Sequence, residues 1–206
     1  MGGQTIGEVD VAGPDADVAA LLRSRTEPEC FAALFERYFA ALHGYASRRL
    51  DGAGGDDVAA ETFLIAFRQR DRFDPARGSV RAWLYGIATN LIRARRREEA
   101  QGCLAYARAA AHPPDEPVHD ERTADRVTAE AAGKRIVAAL AELSAGDRDA
   151  LLLVVWGELS HEETAAALDI PVGTVGSRLH RARRKIRAAL DDVDPSRPTE
   201  RTARHG

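Results

Sequence analysis

The segment Ile170–Leu190, IPVGTVGSRLHRARRKIRAAL, is strongly basic, although the chain of 206 residues has a formal net charge of −3. On a helix with about 100° per residue, its apolar side chains form one stripe, which predicts a face packed on a core. That stripe consists of Val175, Leu179, Ala182, Ile186 and Leu190. The opposite side consists of Thr174, Ser177, Arg181 and Arg184, with Arg178 and Lys185 at its flank. This division is typical of a helix that reads DNA in the major groove.

The residues before this helix predict a short helix and a tight turn. Ser160 and Glu163 have the S-x-x-E spacing of a capping box, so we expect a helix to begin at His161. Asp169 tolerates a left-handed backbone, and Pro171 suits the first turn of the next helix. Helix, turn and helix in this order predict a DNA-binding helix-turn-helix. The alternative is a solvated surface helix with repeated arginines, which the capped helix and the turn disfavour.

A first block of helices is predicted upstream, between residues 29 and 98. Apolar residues recur there at steps of three and four in three segments, as on one face of a helix. The segments are separated by DGAGG at 51–55 and by the loop RDRFDPARGS at 70–79, whose Ser79 can cap the third helix. The apolar positions are Phe31, Leu34, Phe35, Tyr38, Leu42 and Tyr45, then Val58, Phe63, Ala66 and Phe67, then Trp83, Leu84, Ile87, Ala88 and Leu91.

We therefore expect an all-α fold of two small helical domains joined by a flexible acidic linker. The predicted divisions are a flexible N-terminal tail over 1–27, a first domain over 28–99, a linker over 100–130, a second domain over 131–191 and a disordered tail over 192–206. The linker is rich in proline and acidic residues and has few large apolar side chains. Such a segment buries too little surface to offset its chain entropy.

Several classes of protein are disfavoured by composition and motifs. The N-terminus has no signal-peptide pattern, and no apolar run reaches the ~20 residues that span a bilayer, so we expect a cytoplasmic protein without direct membrane insertion. Cys30 and Cys103 are far apart, which favours a structural role over zinc binding or redox chemistry. In HEETA, Ala165 stands where a zinc-protease helix has its second His. We predict no catalytic residue, no metal and no cofactor, and hence a protein that is not an enzyme.

Two segments together resemble a known family. GELSHEETAAALDIPVGTVGSRLHRARRKIRAAL resembles the fourth region of the extracytoplasmic-function (ECF) sigma factors of bacterial RNA polymerase, in the sigma-70 family. DDVAAETFLIAFRQRDRFDPARGSVRAWLYGIATNLIRARRRE resembles their second region. The two segments follow in the family's order, and the composition, rich in Ala and Arg, is consistent with an actinobacterial source. The resemblance implies a sigma factor that binds core RNA polymerase, recognises promoter elements and opens promoter DNA.

The resemblance also implies roles for particular residues. Reading of the −35 element falls to Thr174, Ser177, Arg178, Arg181, Arg184 and Lys185. Binding and melting of the −10 element fall to Phe73, Asp74, Arg77, Ser79, Trp83, Asn90, Arg93 and Arg97, although Trp83 on an apolar face is also a candidate for the core. Binding of core polymerase, through its largest-subunit coiled coil, falls to Asp57, Glu61 and Thr62, and the polymerase flap is a further expected contact. Promoter DNA and an anti-sigma factor complete the expected partners.

This chain departs from the family pattern at three positions, and a second reading is open. Ala60 replaces a frequent Gln, Asp169 a frequent Gly and Gly176 a frequent Lys, so polymerase binding or promoter preference is expected to differ. The alternative function is a helix-turn-helix transcriptional regulator that binds duplex DNA without being a polymerase subunit. Such a regulator predicts an upstream receiver or ligand domain, but residues 29–98 show no alternating strands.

Overall fold

The computed structural model describes residues 13–50, 54–109, 133 and 135–191, and these ranges contain helices and turns but no strand. The helices are α1 (Pro14–Arg23), α2 (Ala32–Ser47), α3 (Gly54–Gln69), α4 (Val80–Ala109), α5 (135–141), α6 (Ala145–Val155), α7 (His161–Leu168) and α8 (Val172–Asp191). The all-α prediction is confirmed. Helices α1–α4 form an N-terminal block, and α5–α8 form a C-terminal block.

The core of the N-terminal block lies between α2, α3 and α4. Leu34, Leu42 and Tyr45 of α2 are almost completely buried, as are Val58 of α3 and Leu84 of α4. These are the apolar positions that the three- and four-residue spacing selected. Ser79 caps α4 as predicted, because its Oγ accepts a hydrogen bond of 3.1 Å from the backbone N–H of Ala82.

The predicted flexible tail over 1–27 is wrong for its second half. Pro14–Arg23 is the helix α1, and its Leu21 is fully buried in the core of the N-terminal block. Pro14 at the first position and Asp15 and Asp17 in the first turn favour a helix start. Tyr38 of α2 donates a hydrogen bond to the Asp17 carboxylate, which ties α1 to the block. Residues 1–12 lie outside the described residues.

The predicted boundary at residue 99 falls inside a helix. Helix α4 continues to Ala109, because residues 98–109 are mostly good helix formers and the prolines begin only at Pro113. The first ten residues of the predicted linker, 100–109, therefore belong to α4. Residues 110–132, which hold most of its acidic side chains, and the C-terminal tail from residue 192 lie outside the described residues.

The C-terminal block contains the predicted helix-turn-helix. The Ser160 side chain accepts from the N–H of Glu163, and the Glu163 side chain accepts from the N–H of Ser160, so the capping box is present. Asp169 has φ 52° and ψ 52°, the left-handed conformation expected for the turn. On α8, Val175 and Leu179 are almost completely buried, which confirms the orientation of the apolar stripe.

The two blocks pack against each other through α4 and α7. A Cβ on Gly86 of α4 would lie 2.8 Å from the carbonyl oxygen of Ala167 of α7, a distance that real Cβ atoms do not reach. Leu152 and Leu153 of α6 belong to the same buried cluster as the core of the N-terminal block. The chain is thus closed, with its two halves in direct contact.

Candidate nucleic-acid interface

Helix α8 exposes the polar face that the sequence predicted. Ser177, Arg181, Arg184 and Lys185 are exposed, whereas Thr174 and Arg178 are half-buried; all six lie on the side opposite the apolar stripe or at its flank. The Ser177 hydroxyl donates 2.9 Å to the Thr174 carbonyl, so it is tied to the first turn of the helix. The remaining face is open to solvent and carries positive charge along its length.

Two basic residues of this face are already paired within the C-terminal block. The Arg181 guanidinium donates two hydrogen bonds, of 3.1 and 2.6 Å, to the carboxylate of Asp147 near the start of α6. The Lys185 ammonium lies 3.1 Å from the Glu142 carboxylate. The hydrogen bonds from Arg181 lower the pKa of Asp147, and a bond from Ser144 and the positive field of Arg178 add to the effect. Arg181 therefore also fixes α8 on α6.

A second candidate surface is a cavity of about 250 Å³ beside the N-terminus of α4. It brings together five of the residues predicted to bind and melt the −10 element, namely Phe73, Asp74, Arg77, Ser79 and Trp83. The Phe73 and Trp83 rings are 5.3 Å apart, centroid to centroid, at an angle of 50°. An aromatic wall beside charged and hydroxyl groups is suited to a base that has left the stack.

The local sequence explains how these side chains converge. The Asp74 carboxylate accepts 2.9 Å from the N–H of Ala76, which starts the short turn Pro75–Arg77. Gly78 follows with φ 148°, a conformation that L side chains rarely adopt, and it returns the chain to α4. Phe73 is only 7% exposed and belongs to the hydrophobic core. It therefore connects the lining of the cavity to the core of the N-terminal block.

In the closed chain, the C-terminal block covers this cavity. Ala166 and Asp169 complete its lining. The Ser79 hydroxyl donates 3.1 Å to the Glu163 carboxylate, and Arg77 donates 3.1 Å to the Asp169 carboxylate. Glu163 and Asp169 therefore hold the helix-turn-helix over the cavity.

The other three residues predicted for the −10 element lie elsewhere on α4. Asn90 and Arg97 are exposed. Arg93 is half-buried and donates 2.5 Å to the carboxylate of Asp149 in α6. The structure does not bring these three residues to the cavity; they extend along the helix away from it.

The residues predicted to bind polymerase lie on α3 and differ in accessibility. Asp57 and Glu61 are exposed and face Arg95, at 3.2 and 3.9 Å from its guanidinium. Thr62 is fully buried, and its hydroxyl donates 2.7 Å to the Val58 carbonyl. Thr62 is not accessible to a partner in this structure, because a helix residue adjacent to Glu61 points about 100° away, here into the core.

The described residues contain no cluster of three or more side chains that could hold a metal ion. Within the same ranges, no helix is both long enough and apolar enough to cross a bilayer.

Comparison with known proteins agrees with this arrangement. Residues 34–101 match the family described as Sigma-70 region 2, and residues 133–186 match Sigma-70, region 4. The ECF RNA polymerase sigma factor EcfG of Rhodopseudomonas palustris is 36% identical over 139 residues, which cover 66% of this chain and 70% of that protein. The ECF RNA polymerase sigma factor SigL of Mycobacterium tuberculosis is 31% identical over 188 residues, which cover 91% and 98%. The chain belongs to the ECF RNA polymerase sigma factors.

A solved structure supports the same assignment. CnrH, in complex with the cytosolic domain of CnrY, matches 86% of this sigma factor and 99% of its own chain, with a TM-score of 0.60 and 29% identity. As a sigma factor, the protein acts with RNA polymerase in promoter recognition. The alternative of a separate regulator is not favoured, because region 2 occupies the place where such a regulator would have its receiver or ligand domain.

Sequence reasoning missed the residues that join region 2 to region 4 in this sigma factor. Arg49, which follows α2, and Arg93 of α4 both bind the Asp149 carboxylate, and Arg81 donates 2.7 Å to the carbonyl of Gly157. Arg49 and Asp149 are separated by 100 positions, so no local spacing relates them. The one available signal was a charged residue, Arg49, beside a run of core positions.

Proposed function

We propose that α8 and the cavity beside α4 are the two promoter-reading surfaces of this sigma factor. The observation that carries the proposal is the convergence of Phe73, Asp74, Arg77, Ser79 and Trp83 on one cavity. The cavity takes a base of the −10 element and thereby stabilises the opened promoter.

Helix α8 is proposed to read the −35 element in the major groove. Thr174, Ser177 and Arg178 lie near its N-terminal end, where base contacts usually occur. Arg184 and Lys185 lie further along, where phosphate contacts position the helix without specifying sequence. Arg181 is bound to Asp147, so its contact with DNA requires either exchange of partners or sharing of the guanidinium.

DNA binding requires region 2 and region 4 to separate. In the closed chain, Ser79 and Arg77 donate hydrogen bonds to Glu163 and Asp169, respectively. Ala166 also lines the cavity. Association with core polymerase is proposed to hold the regions apart. Asp57 and Glu61, exposed on α3, are the proposed contacts for the largest-subunit coiled coil, and region 4 is proposed to contact the flap.

The remaining parts of the proposal concern the class of the protein. The sigma factor is proposed to be cytoplasmic, to need no cofactor and to perform no bond chemistry, since polymerase supplies the catalytic centre. An anti-sigma factor is the further proposed partner. The sigma factor is not proposed to insert into a membrane.

The decisive experiment combines the chain with core RNA polymerase. We expect co-elution in gel filtration, followed by transcription from a library of genomic fragments that initiates only when the chain is present. Aligned start sites should reveal two common elements upstream. No complex with polymerase, together with tight duplex binding by the chain alone, would overturn the proposal.

A further inference from the structure

A basic cleft lies between the two blocks. Its volume is about 500 Å³, and it is distinct from the cavity at Phe73 and Trp83. Six arginines line it: Arg49, Arg93, Arg96, Arg97, Arg148 and Arg178. Among the described residues, Asp149 is the one carboxylate in its lining. We call this feature the arginine cleft.

The positive charge of the arginine cleft is incompletely neutralised. Asp149 is shared between Arg49 and Arg93. Neither Arg97 nor Arg178 makes a hydrogen bond or an ion pair with any other residue that the structure describes. The charge of Arg178 helps to lower the pKa of Asp147, but the carboxylate of Asp147 accepts hydrogen bonds from Arg181. The guanidinium groups of Arg97 and Arg178 therefore remain to be satisfied, whereas the other four arginines of the cleft donate hydrogen bonds.

Two observations indicate that the arginines of the cleft are incompletely solvated and incompletely paired. Burial lowers the pKa of Arg96, and the charges of Arg49 and Arg148 lower it further. Arg49 is 5% exposed, and its Nε is buried without a hydrogen-bond partner in the described chain. Burying like charges side by side is unfavourable unless an anion is present to compensate them.

The walls of the cleft add features that suit a phosphorylated ligand. Ala145 and Gly146 at the N-terminus of α6 line it, and a helix N-terminus favours negative charge. The guanidinium of Arg178 lies against Gly146, 2.9 Å from where a Cβ would stand. Leu168 and Ile170 supply an apolar wall. Guanidinium forks bind phosphate oxygens in pairs, which makes arginine the preferred residue for such anions.

We propose that the arginine cleft binds a small ligand with several linked phosphate groups, of the size of a nucleoside di- or triphosphate. The cleft is within the range of about 300–1,000 Å³ of small-molecule sites, and it is far too small for a duplex. Region 2 contributes Arg93 and Arg96, and region 4 contributes Arg148 and Arg178. The ligand would therefore bridge the regions and favour the closed chain. The cleft shares no lining residue with the promoter cavity, whereas Arg178 is also a proposed −35 contact and Arg93 and Arg97 are also predicted −10 contacts.

Binding is tested by calorimetric titration of the full chain with sodium tripolyphosphate and, separately, with ATP. We expect saturable binding of one ligand per chain that weakens as salt is raised. The variant R96Q/R178Q should weaken binding at least tenfold. The matched control R183Q/R187Q, which removes the same charge from exposed positions of α8, should change it less than twofold. The single variant R178Q removes no hydrogen bond or ion pair of the described chain. Weaker binding by R178Q would therefore show that the loss in the double variant is not caused by misfolding.

The two ligands identify the source of the phosphates. Tighter binding of ATP than of tripolyphosphate assigns the apolar wall to a nucleoside, and equal binding assigns the site to the phosphate chain alone. The proposal is overturned by absence of saturable binding, or by equal weakening in both double variants. It is also overturned if a short DNA duplex displaces tripolyphosphate and binds tighter through the same arginines, because the cleft would then belong to the path of nucleic acid.

Discussion

Arg49, just after the end of α2, and Asp149 of α6 form an ion pair in the interior of the molecule, and each side chain is 2% exposed. The Arg49 guanidinium also donates 2.5 Å to the Tyr45 hydroxyl, which in turn lies 3.0 Å from the hydroxyl of Thr89. The pair thus belongs to a buried polar network that joins region 2 to region 4. Separating the regions exposes both charges to water, so this network helps to determine how readily the sigma factor opens.

Removing one member of the pair should be costly. We expect D149A to reduce the free energy of unfolding of the closed chain by about 3–5 kcal/mol, because Arg49 would be left buried without its carboxylate. Chemical denaturation measures the effect, and small-angle scattering reports whether the regions separate first. D71N, which removes a largely exposed partner of Arg25, is the control and should cost about 0–1 kcal/mol. Equal effects of D149A and D71N would contradict the role of the buried network.

Replacing Gly176 and Gly86 by alanine should change the stability of the chain in opposite directions. A Cβ on Gly176 would meet no heavy atom within 4 Å, so G176A should stabilise α8 by about 0.5–1 kcal/mol through its higher helix propensity. On Gly86, the Cβ would lie 2.8 Å from the Ala167 carbonyl, so G86A should destabilise the closed chain. Thermal unfolding of the two variants tests both signs. An increase of the melting temperature by G86A would show that α4 and α7 do not approach this closely.

The capping box should contribute to the stability of region 4. S160A removes the acceptor for the Glu163 N–H, 3.1 Å away, and should cost about 0.5–2 kcal/mol. S160T retains the hydroxyl and should recover most of the loss. Denaturant unfolding followed by circular dichroism provides the measurement. If S160A and S160T were equally destabilising, the packing of the residue and not its hydroxyl would be responsible.

The pair of Asp147 and Arg181 should give a pH dependence to stability. The pKa of Asp147 is lowered in the folded chain, chiefly by the hydrogen bonds from Arg181. Its contribution to stability is therefore fully present above the unfolded pKa of about 3.9 and is lost as the pH falls through the lower folded value. We expect D147N to be less stable than the native chain at pH 7, with the difference vanishing toward the acid limit. A difference that is constant down to that limit would contradict this assignment.

Arg184 should contribute to promoter binding through counterion release. For the complex with polymerase, R184Q should reduce the slope of log K against log salt by about 0.9 if Arg184 contacts one phosphate. R23Q, on α1 and far from α8 in sequence, removes the same charge and is the control; its exposed guanidinium pairs with Glu27. An unchanged slope for R184Q would remove Arg184 from the proposed −35 contacts.

Features that depend on residues within one or two helical turns could be predicted from the sequence. The apolar stripe of α8, the reciprocal bonds of Ser160 and Glu163, the left-handed Asp169 and the cap at Ser79 are all local, so spacing alone revealed them. The five side chains of the promoter cavity are also close in sequence, between positions 73 and 83, and local turns hold them together. Helix α1 was not predicted because it has few apolar residues. Its stability depends on the burial of Leu21 in the core of the N-terminal block, which is a tertiary contact.

The way in which region 2 packs against region 4 could not be predicted from the sequence. The pairing of Arg49 with Asp149, the cover that Glu163 and Asp169 place over the cavity, and the arginine cleft all join residues that are far apart in the chain. Such contacts depend on the relative position of two packed blocks, and the energy of a buried charge depends on everything that surrounds it. No periodicity or spacing in a single sequence carries that information, because it arises only after the helices have packed.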